Sequence, residues 1–266
     1  MLHAVIVGVG AYADPKIKPL EFARADAEGF AAVLEQRADR ERQITLLVDD
    51  RATKAKIARV ITDELPRSIR PGDSVILYFA AHGSPEIEVY NSEPSIHLIA
   101  HDTVHARLHA TSINMISELS AWARRLPARL VTIILDASFN GLPGGRTFEG
   151  PGLWSGPRTR SLDRISLRRV AVGGHFALMT ACGEKEVARE DPAYGHGIFT
   201  YHLIETVKNA EFDDQTVTMS MLHASVAEAV RTSTGGDQVP ALYGGGIHLP
   251  LFHVDRRSSS GLPAAV

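Results

Sequence analysis

The sequence predicts an α/β protein built on a largely parallel, doubly wound sheet, and three observations carry that prediction. Two apolar runs, Ser74–Phe79 and Val131–Leu135, have the unbroken hydrophobicity of strands buried on both faces. Strand-like and helix-like segments alternate along the first half of the chain, the pattern of parallel strands joined by crossover helices. Both central runs also end in residues that carry chemistry, Ala80-Ala-His82-Gly83 and Asp136-Ala-Ser138-Phe-Asn-Gly141. In open α/β sheets reactive groups gather at the carboxyl ends of the strands.

Taken in order, residues 2–9 form a first strand ending at Gly8-Val-Gly10. With Ala13 that pair loosely matches a dinucleotide fingerprint. Asp14-Pro15 and Pro19 stand where the helix should open, however, so a turn is the better reading. Apolar residues at Phe22, Ala25, Phe30, Val33 and Leu34 mark a helix over Leu20–Gln36, and Gln43–Val48 is a second strand. Thr53 caps a helix running to about Leu65, where Pro66 stops it. Pro71-Gly-Asp73 turns the chain into the His82 strand, and Ser95–Ala100 reads as an added hairpin strand. An amphipathic stretch, Thr111–Leu126, is the expected crossover helix into the Ser138 strand.

Residues 142–172 break this rhythm with turn formers and with Arg146, Arg158, Arg160, Arg164, Arg168 and Arg169. A long, basic, aperiodic segment inside a domain is functional or disordered. Regular structure resumes with a strand at His175–Ala181 and helices at Gly197–Val207 and Thr216–Val230. Gln238–Pro240 and Ile247–Phe252 are expected as extended edge pieces, because Pro240 and Pro250 forbid a central position. Residues 1–254 are thus expected as one domain and 255–266 as a tail or linker.

Composition narrows the classes. Hydrophobic content of 44% with 22% charged residues is that of a globular protein. A net charge of −3 leaves no electrostatic footprint for nucleic acid. No apolar run is long enough to span a membrane, and the Leu2–Val9 run lacks a basic leader and a cleavage site. One cysteine, Cys182, excludes an internal disulfide framework and agrees with a reducing compartment. The expectation is a cytoplasmic protein without nucleic-acid or membrane partners.

His82 and Ser138 stand 56 positions apart at two strand ends. A nucleophile needs a base within hydrogen-bond reach, and a developing oxyanion needs fixed N–H donors. His82 supplies the imidazole, while Gly83 and residue 138 supply unobstructed backbone amides. Either motif alone is more often a turn; together, each after a strand and with His before the nucleophile, they suggest a catalytic dyad.

These residues resemble the caspase-like clan of cysteine peptidases, and within it the metacaspases and bacterial orthocaspases. Ala80-Ala81-His82-Gly83 is similar to the family's S-G-H-G, and Asp136-Ala-Ser138-Phe-Asn-Gly141 to its D-x-C-x-S-G. Ala181-Cys-Gly, Val187-Ala-Arg-Glu190 and Gly195-His-Gly-Ile-Phe-Thr200 resemble the small-subunit half, and Gln238-Val-Pro240 its closing Q-x-P. The resemblance implies a twisted, mostly parallel sheet of about six strands flanked by helices. It divides the domain into a large-subunit-like part (1–141), a processing-type loop (142–172) and a small-subunit-like part (173–254). It also implies endopeptidase chemistry with His82 as general base, residue 138 as nucleophile and Gly83 in the oxyanion hole.

One departure is central: serine stands at the cysteine position. A hydroxyl is far harder to ionise than a thiol, and a Cys–His site is not tuned to deprotonate it. Three readings remain: an engineered Cys→Ser inactivation of a peptidase, which the otherwise intact site favours; a natural pseudo-peptidase that binds a basic segment of a partner; and a working Ser–His hydrolase.

By the same resemblance Asp26 and Asp136 line the S1 pocket. Two desolvated carboxylates repel unless a cation lies between them, which implies protein or peptide substrates with Arg or Lys at P1. The plainer alternative makes Asp26 a helix-surface acid and Asp136 a turn former. The six arginines of 142–172 are then candidates for autoprocessing, or else belong to an ordinary solvated loop. Among weaker signals, His97, His101, His105 and His109 recur every four residues, but the first lies in an expected strand, so no shared metal face results. Asp102 is expected to serve a turn, Cys182 to be a small buried or strand-end residue, and Trp154, in the basic loop, to be a docking anchor or a loop cover. No cofactor or metal is implied; calcium activation, which occurs in related metacaspases, stays open, although no loop here has calcium-ligand spacing. The tail resembles a cut boundary and leaves room for a sensor or effector domain in a larger parent protein.

Overall fold

The computed structural model describes residues 1–38, 41–84, 96–139, 146, 170, 173–183, 186–209 and 216–254, and all that follows concerns these. Six strands form one sheet: β1 (Leu2–Gly8), β2 (Arg42–Val48), β3 (Ser74–Ala80), β6 (Leu130–Asp136), β7 (Phe176–Thr180) and β11 (Ala241–Tyr243). Their order is β11-β7-β6-β3-β1-β2. The first five in sequence pair in parallel, and β11 closes one edge antiparallel to β7.

The unbroken apolar runs now have a cause. Alternate residues of each central strand enter different cores. Val75, Leu77, Phe79, Val131, Ile133 and Leu135 join the cluster that also holds Ile57, Ile61, Met115 and Leu119. Ile76, Tyr78, Leu130 and Ile134 join the other, with Phe30, Phe199, Leu203, Leu222 and Val226. Helix α1 (Ala23–Arg37) and helices Ile198–Lys208 and Met219–Ser233 therefore cover one face. Helix α2 (Lys54–Arg59) and the helical segments around it cover the other.

The glycine pair after β1 is explained by packing. A Cβ on Gly8 would lie 2.5 Å from the Ala23 carbonyl oxygen and 2.6 Å from the Ala27 Cβ, so glycine lets α1 close onto the strand. Thr53 caps α2 as expected, its side chain accepting from the Lys56 amide. Asp102 adds a second acceptor for this turn, at 2.8 Å from the Lys54 nitrogen.

Three expectations need correction. The Thr111–Leu126 helix is broken: Leu108–Thr111 is helical, Ile113–Asn114 (β5) pairs antiparallel with His97–Leu98 (β4), and helix resumes over Met115–Ser120 and Ala121–Arg124. The cause is Asn114, whose side chain caps the new start by accepting from the Ile116 and Ser117 amides. Thr216–Thr218 is a strand, β10, because these β-branched residues pair with β12 (Pro250–His253); the helix starts at Met219, capped by Thr218. The edge strand on the main sheet is Ala241–Tyr243, not Gln238–Pro240. Gln238 is instead occupied in cross-linking, its side chain bonding the Ala181 carbonyl and the Arg189 amide. Among the described residues no helix is long and apolar enough to cross a membrane.

Candidate active site

Strands β3 and β6 are neighbours in register, with Ala80 opposite Asp136, so the His82 and Ser138 turns leave the sheet side by side. The join is tight. A Cβ on Gly83 would sit 2.4 Å from the Ser138 carbonyl oxygen, so only glycine fits there. The small hairpin braces the His82 turn from outside: Ile99 N–H donates to the His82 carbonyl at 3.0 Å, and Ser84 N–H to the His97 carbonyl at 2.9 Å.

His82 is buried, stacked on the Tyr12 ring with centroids 5.4 Å apart. Its Nε2 lies 2.8 Å from the Lys18 carbonyl oxygen, which assigns the proton to Nε2 and leaves Nδ1 with its lone pair. Nδ1 is enclosed and, among the described residues, makes no hydrogen bond of its own, although the Arg146 backbone acts on the ring. Burial holds the imidazole pKa down at about 4, partly offset by the Lys18 carbonyl, so the ring is neutral at pH 7 and available as a base.

Opposite it sits a residue of the basic loop. The Arg146 carbonyl oxygen accepts from the Gly83 and Ser138 amides, each at 3.0 Å. The Arg146 amide in turn donates to the Ala188 carbonyl at 3.0 Å. The backbone of Arg146 is thus held on both sides, with its carbonyl polarised by two fixed donors beside residue 138. That is the arrangement an acyl-transfer site offers to a reacting carbonyl.

The Arg146 side chain runs into a pocket of three carboxylates. Nη1 meets Asp136 Oδ2 at 3.0 Å; Nη2 meets Asp26 Oδ2 in a short contact and Glu190 Oε1 at 3.0 Å. Asp26, Asp136 and Arg146 are fully buried, while the Glu190 side chain keeps 18% exposure. Each acid has its own support. Asp26 accepts from Gly197 N at 3.0 Å and His196 Nδ1 at 2.8 Å. Asp136 accepts from Thr200 Oγ1 at 2.6 Å, and Tyr78 joins Thr200 at 2.6 Å. Burial pushes Asp136 up to about 6, with Arg146 opposing the rise. Gly197 forms part of the wall, since a Cβ there would lie 2.7 Å from Arg146 Nη2 and 2.8 Å from Asp136 Oδ2.

The hydroxyl of Ser138 is buried and accepts from the Ala188 amide at 2.6 Å. Cys182 lies beside it, with Sγ 3.9 Å from Ser138 Oγ. Burial pushes this thiol up to about 12, so it is a neutral neighbour rather than a replacement nucleophile.

The structure therefore brings His82, Gly83, Ser138, Asp26, Asp136 and Arg146 into one site. The Asp26 side chain is interior, not on a helix surface. Arg158, Arg160, Arg164, Arg168, Arg169, Gly141 and Trp154 lie outside the described residues. Glu190 and Gly197 were not singled out as site residues by sequence, although both fall inside the small-subunit-like motifs. His97 and His109 do meet, with rings 5.3 Å apart, but among the described residues no three His, Cys, Asp or Glu side chains are placed to hold a metal ion.

Comparison with known proteins bears on the family and the fold. A family model for the caspase domain matches residues 1–248. Among solved structures, protein GSU0716 from Geobacter sulfurreducens superposes with a TM-score of 0.68 at 19% identity, covering 96% of this chain and 99% of that one. Caspase-1 from Spodoptera frugiperda does so with a TM-score of 0.58 at 15% identity, covering 91% and 87%. No curated protein matches the sequence. At these identities the structural matches speak for the fold, and the family match extends over nearly the whole described domain. The chain belongs to the caspase-domain family of peptidases.

Proposed function

We propose that this caspase-like domain is an endopeptidase scaffold shaped to cleave after basic residues, arginine above all, and that Ser138 leaves it holding such a residue rather than cutting beside it. One observation carries the reading. Arg146 occupies the site as a P1 residue would, with its carbonyl on the Gly83 and Ser138 amides and its guanidinium among Asp26, Asp136 and Glu190. In such a site residue 138 would attack the carbonyl carbon, His82 Nδ1 would take its proton and later return it to the leaving amine, and the two amides would hold the oxyanion. A thiol could give up its proton to an imidazole whose pKa is about 4 only with help from the site's field; a serine hydroxyl is a much weaker acid still.

The test separates recognition from cutting. A chain carrying Ser138→Cys and Arg146→Ala, its pocket freed, is given matched peptides with Arg, Lys or Asp before the scissile bond. Turnover in the order Arg, then Lys, with Asp uncut, is expected; preference for Asp would refute the pocket assignment. A second reading, a pseudo-peptidase that captures a basic segment of a partner, is favoured by the same seated arginine combined with serine at 138. It requires the Arg146→Ala chain to bind an arginine peptide and leave it intact.

A further inference from the structure

Glu190 does two things at once. Its Oε1 meets Arg146 Nη2 at 3.0 Å and also accepts from the Phe22 amide at 2.9 Å, while its Oε2 accepts from the Glu21 amide at 3.0 Å. Helix α1 has no capping side chain of its own, and Glu190 supplies the acceptors for the turn that leads into it. That turn ends a strap, residues 11–22, which carries two partners of the catalytic histidine. Tyr12 stacks on the His82 ring, and the Lys18 carbonyl holds its Nε2. Only Pro19 and Leu20 separate Lys18 from Glu21; Leu20 N–H is held by the Gly10 carbonyl at 2.9 Å and proline fixes its own φ, so movement at Glu21 reaches Lys18 as a pivot about Leu20.

An empty pocket would set three carboxylates against one another. Asp26 is anchored by Gly197 and His196, and Asp136 by Thr200. Glu190 alone reaches solvent. It can relieve the repulsion by turning outward, and it then gives up the Glu21 and Phe22 amides.

We propose that Glu190 is a positioning residue that couples arginine in the pocket to the orientation of the general base. A guanidinium draws Glu190 in, Glu190 fixes the strap at Glu21 and Phe22, and the strap sets the Lys18 carbonyl on His82 Nε2. The base is then held in its working tautomer only when a basic P1 residue is present, a form of induced fit. This rests on the basic-P1 reading and adds a regulation to it.

The experiment reads amide hydrogen exchange at Glu21 and Phe22 and the ring ¹⁵N signals of His82. The native chain, with Arg146 seated, is compared with Arg146→Ala, and Arg146→Ala is then titrated with acetyl-arginine amide. Emptying the pocket is expected to speed exchange at the two amides about tenfold, a usual size for such coupling, and to shift the His82 signals. The probe is expected to restore both. In the Arg146→Ala, Glu190→Ala chain the probe still binds Asp26 and Asp136, but neither readout responds. Should Arg146→Ala fold poorly, Glu190→Gln in the otherwise native chain serves instead. It has one acceptor oxygen for two amides, so exchange rises at one of them and the His82 signals move with Arg146 still seated. Probe binding without change at Glu21, Phe22 and His82, or an equal response without Glu190, overturns the coupling alone. Failure of the probe to bind Arg146→Ala overturns the basic-P1 reading and the coupling together.

Discussion

Arg146→Lys is the sharpest perturbation of the pocket, because it keeps the charge and removes the fork. In the native chain two guanidinium nitrogens divide three carboxylates: Nη1 serves Asp136 at 3.0 Å, and Nη2 serves Asp26 and Glu190. A single ammonium, one atom position shorter in reach, cannot bridge both sides. It loses at least one charge-assisted hydrogen bond, worth about 2 kcal/mol. At 1.4 kcal/mol per tenfold, the segment around residue 146 should leave the site about 30-fold more often. Trypsin cuts after both residue types, and when opening is fast relative to cleavage its rate follows the open population. The rate of cutting at residue 146 should therefore rise about 30-fold in Arg146→Lys, with a free peptide substrate added to both digests as the reference. Equal rates at 146 in the two proteins would refute the claim that three carboxylates read a guanidinium.

Other consequences follow from the same contacts. Gly197→Ala should block the pocket, because its Cβ would lie 2.7 Å from Arg146 Nη2 and 2.8 Å from Asp136 Oδ2; trypsin sensitivity at Arg146 with a lowered melting temperature, since the buried carboxylates lose their cation, is the expected pair of results. Gly83→Ala differs, since its Cβ meets the Ser138 backbone at 2.4 Å; it should cost about 2–4 kcal/mol in urea unfolding. For pH, arginine binding lowers the Asp136 pKa from a still higher empty-pocket value to about 6. Affinity of acetyl-arginine amide for Arg146→Ala should be greatest at alkaline pH, fall as pH drops toward 6, and level off below it. His82 and His97 both have pKa values held near 4 by burial, below the unfolded value, so the stability they confer is complete above about pH 6.5 and lost as pH falls toward 4. His82 alone should account for about 2 kcal/mol by pH 5, and His97→Gln should flatten the acid limb of a melting-temperature profile.

How far the sequence could be read depended on whether a feature was local. The central strands were legible because residues buried on both faces leave an unbroken apolar run, as in Val131–Leu135. The ends of those strands followed from the His82-Gly83 and Asp136-Ala-Ser138 turns. Features that depend on distant pairing were not. Thr216–Thr218 is a strand only because Pro250–His253 lies beside it, and the break at Asn114 exists because β4 and β5 pair. The Asp26 and Asp136 pairing needed a family pattern, since 110 positions separate them. Glu190 carries no local mark beyond its motif, because its role comes from contacts with Glu21, Phe22 and Arg146 far away in the chain. That Arg146, rather than another arginine of the basic loop, lies in the pocket is likewise a fact of folding.

The central claim is that Arg146 sits as a substrate residue before a site lacking only its thiol. Restoring Ser138→Cys and following intact mass tests it directly. The expected result is one cut, between Arg146 and Thr147, that disappears when Arg146→Ala is added. A chain that stays whole with calcium tested both ways, or that is cut elsewhere while Arg146–Thr147 remains intact, would contradict it.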